Sequence, residues 1–190
     1  MSEYTYILNC NNFLNCDQLL EEIKHKEGVL RNAKTPYGNP KLFNHPIHGP
    51  KIIELGNYWK DAGYLDNDSV EYINYFPKQH FDILYVEKLN ELLKTNPVRV
   101  WISSIKPGKC VPWHYDIEEK EDEYLKLGKV ARYSIFIDKP TVGKIFILQH
   151  DVFHMIEQGN IYKWKNWKDY HLGFNCGNST KYLLHYIGIE

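Results

Sequence analysis

The stretch Trp113-His114-Tyr115-Asp116 carries the residue types best suited to chemistry. In an extended strand, residues i and i+2 point to the same face. His114 and Asp116 can therefore present an imidazole nitrogen and a carboxylate oxygen to one point. One more histidine would complete a two-histidine, one-carboxylate face on an octahedral ion such as iron(II), with three positions left open. A chelating cosubstrate can fill two of these and dioxygen the third. His-x-Asp alone is a weak signal, because the chain has 9 histidines and 24 acidic residues and such a triplet arises readily by chance. The plain alternative is a hydrogen-bonded histidine on a polar strand.

His150, His154, His171 and His185 are the candidates for the second histidine. His150 and His154 have a spacing that suits one face, but no cation follows either at a distance suited to a second carboxylate. Lys181 follows His171 by ten residues. If two antiparallel strands are joined by the turn Asn175-Cys176-Gly177-Asn178, His171 and Lys181 come near each other. The lysine can then pair with a carboxylate one cosubstrate length from the metal. Arg132 and Ser134 share a strand face and can reach the carboxylates or carbonyl of a small dicarboxylic acid. The plain readings are a surface lysine, a surface arginine and a serine at the core edge. His45, His48 and His80 read as loop or cap residues.

These side chains need a scaffold. The 190 residues suit one domain with one sizeable core. Apolar residues make up 43% and aromatics 15%, which marks a globular chain. Two helices are expected. The first runs from Asp17 to Lys26, with Leu19, Leu20 and Ile23 as its stripe and Asn15 or Asp17 as its cap. The second runs from about Gln79 to Lys94 and is stopped by Asn96-Pro97. Thr35 to Tyr75 reads as irregular. After Pro97, strands are expected at Val98–Ile105, Arg132–Ile137, Lys144–Leu148, Ile161–Trp164 and Lys181–Ile187, separated by Gly-, Pro- and Asn-rich turns. The implied fold class is α+β: a helical and irregular part over 1–97 packs on a β-sandwich or barrel core over 98–190. The acidic stretch Ile117–Lys129 reads as a solvated loop, or as a mobile lid because it begins just past Asp116.

The order of these features resembles the iron(II)- and 2-oxoglutarate-dependent oxygenases. It is most similar to their aspartyl/asparaginyl β-hydroxylase-like branch. The matching text is Trp101-Ile102, Lys106-Pro107-Gly108, Pro112-Trp113-His114-Tyr115-Asp116, Arg132-Tyr133-Ser134, Gly143-Lys144-Ile145, Gly159-Asn160-Ile161, Asp169-Tyr170-His171, Asn175 and Lys181-Tyr182-Leu183-Leu184. It spans about residues 98–187. The resemblance implies a double-stranded β-helix (jelly-roll, cupin-like) core with N-terminal helices packed against it. It implies that His114, Asp116 and His171 bind Fe(II), and that Arg132, Ser134 and Lys181 hold 2-oxoglutarate. Dioxygen would be the oxidant and ascorbate an optional addition. The reaction would hydroxylate a peptide side chain or small amino-acid-like substrate while 2-oxoglutarate is decarboxylated to succinate. Two features depart from the branch: it usually has arginine at the place of Lys181, and the insert 117–129 is long.

Other classes fit less well. Lys163-Trp164-Lys165-Asn166-Trp167-Lys168 could stack single-stranded nucleic acid, and a demethylase on the same scaffold is the alternative that uses it. The net charge of −1 favours buried rings with solvated lysines instead. A cupin-like metal-binding module without turnover would not need Arg132 and Lys181. Tyr58-Trp59 and the Tyr72–Phe76 run read as packing or substrate contacts. No apolar stretch nears the ~20 residues of a membrane span. The four cysteines lack Cys-x-x-Cys spacing and no signal peptide is read, so reduced thiols and a cytoplasmic location are expected.

Overall fold

The apolar stripe Leu19, Leu20 and Ile23 folds as the helix α1 (Cys16–Lys24), with all three side chains buried. Asn15 caps it, its side-chain oxygen accepting from the Gln18 N–H at 3.0 Å. Asp17 in the first turn and Lys24 in the last complement the helix dipole. The computed structural model describes residues 2, 4–25, 29–31, 46, 49–50, 53–54, 57, 61, 72–76, 84–116 and 121–190. His45, His48, His80, Tyr58-Trp59 and most of the stretch read as irregular lie outside the described residues.

The second helix, α2, is described over Leu84–Leu93. It ends where Lys94 turns left-handed at φ 53°. Asn96 and Pro97 are not the stop signal expected of them: they open the strand β4 (Asn96–Ile105). Pro97 lies opposite Gly188, where the register shifts between Ile187 and Gly188. Such an irregularity tolerates a residue without an N–H.

The other strands are β1 (Tyr4–Asn9), β2 (Val29–Arg31), β3 (Tyr72–Tyr75), β5 (Lys109–His114), β6 (Val130–Ile135), β7 (Lys144–Leu148), β8 (Asp151–His154), β9 (Asn160–Trp164), β10 (His171–Asn175) and β11 (Lys181–Ile189). Each of the five strands expected beyond Pro97 is present, with ends shifted by no more than two residues. All pairings are antiparallel. They form a seven-stranded sheet, β1-β9-β6-β11-β4-β3-β2, and a four-stranded sheet, β5-β10-β7-β8.

Three expectations need correction. Residues 1–97 are more than helical and irregular, because β1, β2 and β3 extend the large sheet at both edges. β1 shows no clean alternation of burial, which is why period-2 reading misses it. The acidic insert is no simple loop: Glu121–Leu127 forms the helix α3, and its Tyr124 is buried against Trp101 and Val130. Most consequentially, β10 and β11 are not a hairpin. β10 pairs with β5 and β7, while β11 pairs with β4 and β6. The turn after Asn175 crosses from one sheet to the other. Asn175 organises that crossing by donating to Ile105 O and Ser179 O, both at 2.8 Å.

Alternation along the large sheet separates two environments. Val100, Ile102, Tyr133, Ile135, Leu184 and Tyr186 form one face and pack under α1 and α2. The opposite face turns to the small sheet, and there Leu183 and Trp164 meet Phe146, Leu148 and Phe153. The β6 residues are therefore buried on both faces. Among the described residues, no helix is long and apolar enough to cross a membrane.

Leu19 is fully buried in the layer between α1 and the large sheet. Leu19→Ala should cost about 2–5 kcal/mol by emptying that position. Chemical denaturation of the variant checks this, with α1 expected to lose amide-exchange protection first.

Candidate metal centre

The face of the large sheet that turns to the small one is unusually polar for a sandwich interior. Ser103 stands there on β4, Arg132 and Ser134 on β6, and Lys181 and His185 on β11. Arg132, Ser134, Lys181 and His185 are each at most 5% exposed. Buried polar groups need partners, so such a band indicates a site rather than a simple core.

Opposite it, His114 ends β5 and His171 begins β10, and the two are paired across the strands. Their rings lie 4.3 Å apart. Asp116 follows two residues past the end of β5. It thus sits on the loop after the strand, not within the strand as its spacing suggested. One ligand atom from each of His114, Asp116 and His171 lies within 4.8 Å of the others, and among the described residues this is the group able to hold a metal ion.

The hydrogen bonds set the tautomers. His114 Nδ1 is 2.6 Å from Pro112 O, and His171 Nδ1 is 3.1 Å from Asp169 O. A carbonyl only accepts, so each Nδ1 carries a proton and donates. Burial, with His114 and Arg132 adding, holds His171 well below the usual histidine range, so its Nε2 keeps a bare lone pair. The two Nε2 atoms lie 3.6 and 3.7 Å from the Asp116 carboxylate oxygens, too far for hydrogen bonds. Burial works against ionisation of Asp116, but the Arg132 guanidinium is the largest of the effects opposing it, and the carboxyl is held well below its usual range. Acceptors thus converge on one point, which is the electrostatic condition for binding a cation.

Arg132 Nη2 lies 2.6 Å from Asp116 Oδ2. The guanidinium stands 3.7 Å over the Trp164 ring and 5.4 Å from that of Trp101. The structure thus gives Arg132 a partner, the carboxylate of Asp116, that sequence spacing did not suggest. Ser134 Oγ accepts from Trp164 Nε1 at 2.9 Å. Trp164 also stands edge-on to His171, with centroids 4.9 Å apart. In the Lys-Trp-Lys stretch, one ring is therefore a buried wall of the site while Lys165 is exposed.

Lys181 reaches across from β11. Its Nζ donates to Ile145 O on the small sheet at 2.7 Å and lies 5.5 Å from the Phe146 ring. A Cβ on Gly173 would meet this ammonium at 3.0 Å, so the absence of a side chain in mid-β10 is what admits it. Burial pushes Lys181 down to about 7; Asp138 opposes that and Lys144 adds to it. His150 and His154 are exposed and outside the cluster. His185 is inside the sandwich but is not among the converging ligands. Trp101 and Ser103 also line the interior. Their inward register in a strand was legible, but nothing marked that face as the functional one.

No protein-family model matches the chain, and no curated protein matches it. Among solved structures, it is similar to a viral collagen prolyl hydroxylase from Paramecium bursaria Chlorella virus-1, with 14% identity, TM-score 0.48, and 100% of this chain and 90% of that one covered. It is also similar to AviO1 from Streptomyces viridochromogenes, with 18% identity, TM-score 0.46, and 89% and 92% covered. A third likeness is an oxidoreductase of the 2OG-Fe(II) oxygenase family from Burkholderia pseudomallei, with 12% identity, TM-score 0.41, and 91% and 77% covered.

Arg132→Lys should disturb the metal centre. A lysine keeps the charge but not the planar guanidinium that stands 3.7 Å over the Trp164 ring, and it would hold the Asp116 carboxylate differently. Losing such a support typically lowers metal affinity by about 10–100-fold. Titration with Fe(II) under argon measures it, and unchanged affinity would show that the Arg132 pair does not position Asp116.

Proposed function

We propose that this chain is an Fe(II)- and 2-oxoglutarate-dependent dioxygenase, with His114, Asp116 and His171 as the iron ligands. The observation that carries the reading is the convergence of two imidazole nitrogens and an ionised carboxylate on one point, in an interior that also holds the buried amine of Lys181. The donor set suits a ferrous ion, since two histidines and one carboxylate leave open positions for other ligands. In this reading the chain forms one oxygenase domain. From β4 to β11 the chain passes back and forth between the two sheets, with β7 and β8 the one consecutive pair in the same sheet, and this supports a double-stranded β-helix core. The motif order supports the aspartyl/asparaginyl β-hydroxylase-like branch, and hence a peptide side chain or small amino-acid-like substrate.

When bound, iron with 2-oxoglutarate and dioxygen supplies the oxidising power, while 2-oxoglutarate is converted to succinate. The protein's own residues bind, orient and exclude water. Pro112 O and Asp169 O lock both imidazoles with Nε2 toward the Asp116 carboxylate, where the three side chains would hold the ion. Arg132 holds the Asp116 carboxylate and keeps it ionised. Lys181 would take the distal carboxylate of 2-oxoglutarate, with Gly173 leaving room for it. Trp164 and Phe146 wall the space with apolar surface, which strengthens each charge interaction inside it. No side chain is needed as a general base.

Purified protein with Fe(II) and 2-oxoglutarate should show a weak visible absorption from the chelate and should form succinate when offered pooled peptides and amino acids. His171→Ala should lose both. Absence of the band and of succinate in the wild type, with His171→Ala binding iron normally, would overturn the reading.

Lys181 adds a pH signature. Between about 7 and its ordinary 10.5 the unfolded chain holds a proton that the folded protein has shed. This group therefore makes folding stability rise with pH across that window. A bound carboxylate favours the charged amine, so 2-oxoglutarate binding should take up a proton above pH 7. Its affinity should then fall by at most roughly tenfold per pH unit as pH rises. Calorimetry in buffers of differing ionisation heat, with Mn(II) replacing iron, reads the proton uptake directly. No uptake at pH 8.5 would remove Lys181 from the role.

A further inference from the structure

The direction of the His171 ring rests on a loop carbonyl. Its Nδ1 lies 3.1 Å from Asp169 O, in the loop between β9 and β10. Such a carbonyl can hold a ring firmly when the loop itself is held, and the Asp169 side chain supplies that hold. Asp169 is 7% exposed. Its Oδ2 accepts from the Asn166 N–H at 3.3 Å, and its Oδ1 accepts from the side-chain amide of Gln149 at 3.2 Å. The turn also closes on itself. The Asp169 N–H donates to Asn166 O at 3.1 Å, and the Lys168 N–H donates to Asn166 Oδ1 at 3.2 Å.

Gln149 grips this loop a second time, its backbone N–H donating to Tyr170 O at 2.8 Å. It follows Leu148, which is paired with His171 across β7 and β10. Leu148 also pairs with Asp151, so Gln149 and His150 form the two-residue loop of the β7–β8 hairpin. Gln149 has φ 53°, the left-handed region where loops of this length favour glycine or asparagine. A longer side chain there carries strain, and strain of this kind persists where surrounding contacts over-determine it. Glycine would relieve the backbone but could not reach Asp169. The strained glutamine and the loop before His171 are thus joined through one side-chain hydrogen bond.

We propose that Gln149 and Asp169 are positioning residues of the metal centre: their side-chain hydrogen bond latches the Asp169 carbonyl onto His171 Nδ1 and so keeps His171 Nε2 open to the ion. This rests on the reading of His171 as a metal ligand. It adds residues that act through His171 and do not themselves ligate. Without the latch the carbonyl shifts and His171 loses its acceptor. The ring proton then distributes over both nitrogens, and the fraction carrying it on Nε2 has no lone pair there for a metal.

The test combines calorimetric Mn(II) affinity, heteronuclear NMR of the histidine ring nitrogens in the metal-free protein, and thermal unfolding. Four proteins are compared: wild type, Gln149→Gly, Asp169→Ala and Asp169→Asn. Wild type should show His171 protonated on Nδ1 alone. Gln149→Gly should lower Mn(II) affinity by about tenfold, the low end of what lost outer support costs a metal site, and should give a mixed His171 tautomer. Its thermal midpoint should stay level or rise, because glycine relieves the left-handed backbone. Asp169→Ala should match it in affinity and tautomer. Asp169→Asn should recover most of the affinity: its Oδ1 can still face the Asn166 N–H, and its amide can donate to a turned Gln149 side-chain carbonyl. If Asp169→Ala does not fold, Gln149→Gly and Asp169→Asn carry the comparison. Wild-type affinity in Gln149→Gly, with the His171 proton still on Nδ1, overturns the inference and leaves the metal centre standing. So does a loss of affinity with the tautomer unchanged. A wild-type protein that binds no Mn(II) overturns the metal centre and this inference with it.

Discussion

The guanidinium of Arg132, fully buried between Trp164 and Trp101 and paired with Asp116, is the interaction on which the rest of the site depends. Moving an unpaired arginine into a protein interior is prohibitively costly, and removing one partner of a buried pair typically costs about 3–5 kcal/mol. The pair is therefore tolerable only as a unit: the carboxylate neutralises the guanidinium, the guanidinium keeps the carboxylate ionised, and the two indoles replace part of the lost water. That unit also fixes where the Asp116 oxygens lie. Asp116 itself sits on a loop just past the end of β5, so without Arg132 its position would be weakly determined.

The arrangement inverts the usual division of labour in a β-sandwich. The apolar face of the large sheet is covered by α1 and α2, and the polar face looks inward at the small sheet. Two apolar clusters keep that interior from collapsing. One, around Ile187, Val130 and Trp101, is sealed by Tyr124 of α3; the other joins Leu183 and Trp164 to Phe146, Leu148 and Phe153. Along β11 the inward residues read Lys181, Leu183, His185, Ile187, alternating polar groups with the clusters that space the sheets. Because packed interiors deform little, this spacing sets how far Lys181 and His185 stand from the imidazoles of the other sheet.

The site is thus an inter-sheet object. His114 and His171 come from the small sheet; Arg132, Lys181 and His185 come from the large one. Local details on each side prepare it: backbone carbonyls hold the His114 and His171 imidazoles, Ser103 Oγ lies against His185 Nε2, and Gly173 leaves room for the Lys181 amine.

Much of this was written locally. The stripe of α1 with its Asn15 cap, the strands after Pro97 and the shared face of Arg132 and Ser134 follow from periods of 3.6 and 2, which each short segment carries by itself. So did the grouping of His114 and Asp116, although the second lies beyond its strand. Which sheet each strand joins was not written locally. His171 and Lys181 looked like neighbours across a hairpin, yet β10 and β11 lie in different sheets, since a turn's length and composition do not specify whether the chain folds back beside itself or crosses a core. For the same reason sequence spacing showed Arg132 and Ser134 as a pair but not what they would meet. Asp116 and Trp164 are distant in the chain, and only the closing of one sheet over the other brings them to those side chains. Sequence alone therefore determined the donor types and the local faces they stand on. The tertiary structure decided which faces became interior, and burial is what turns a histidine, a lysine and an arginine–aspartate pair into a site.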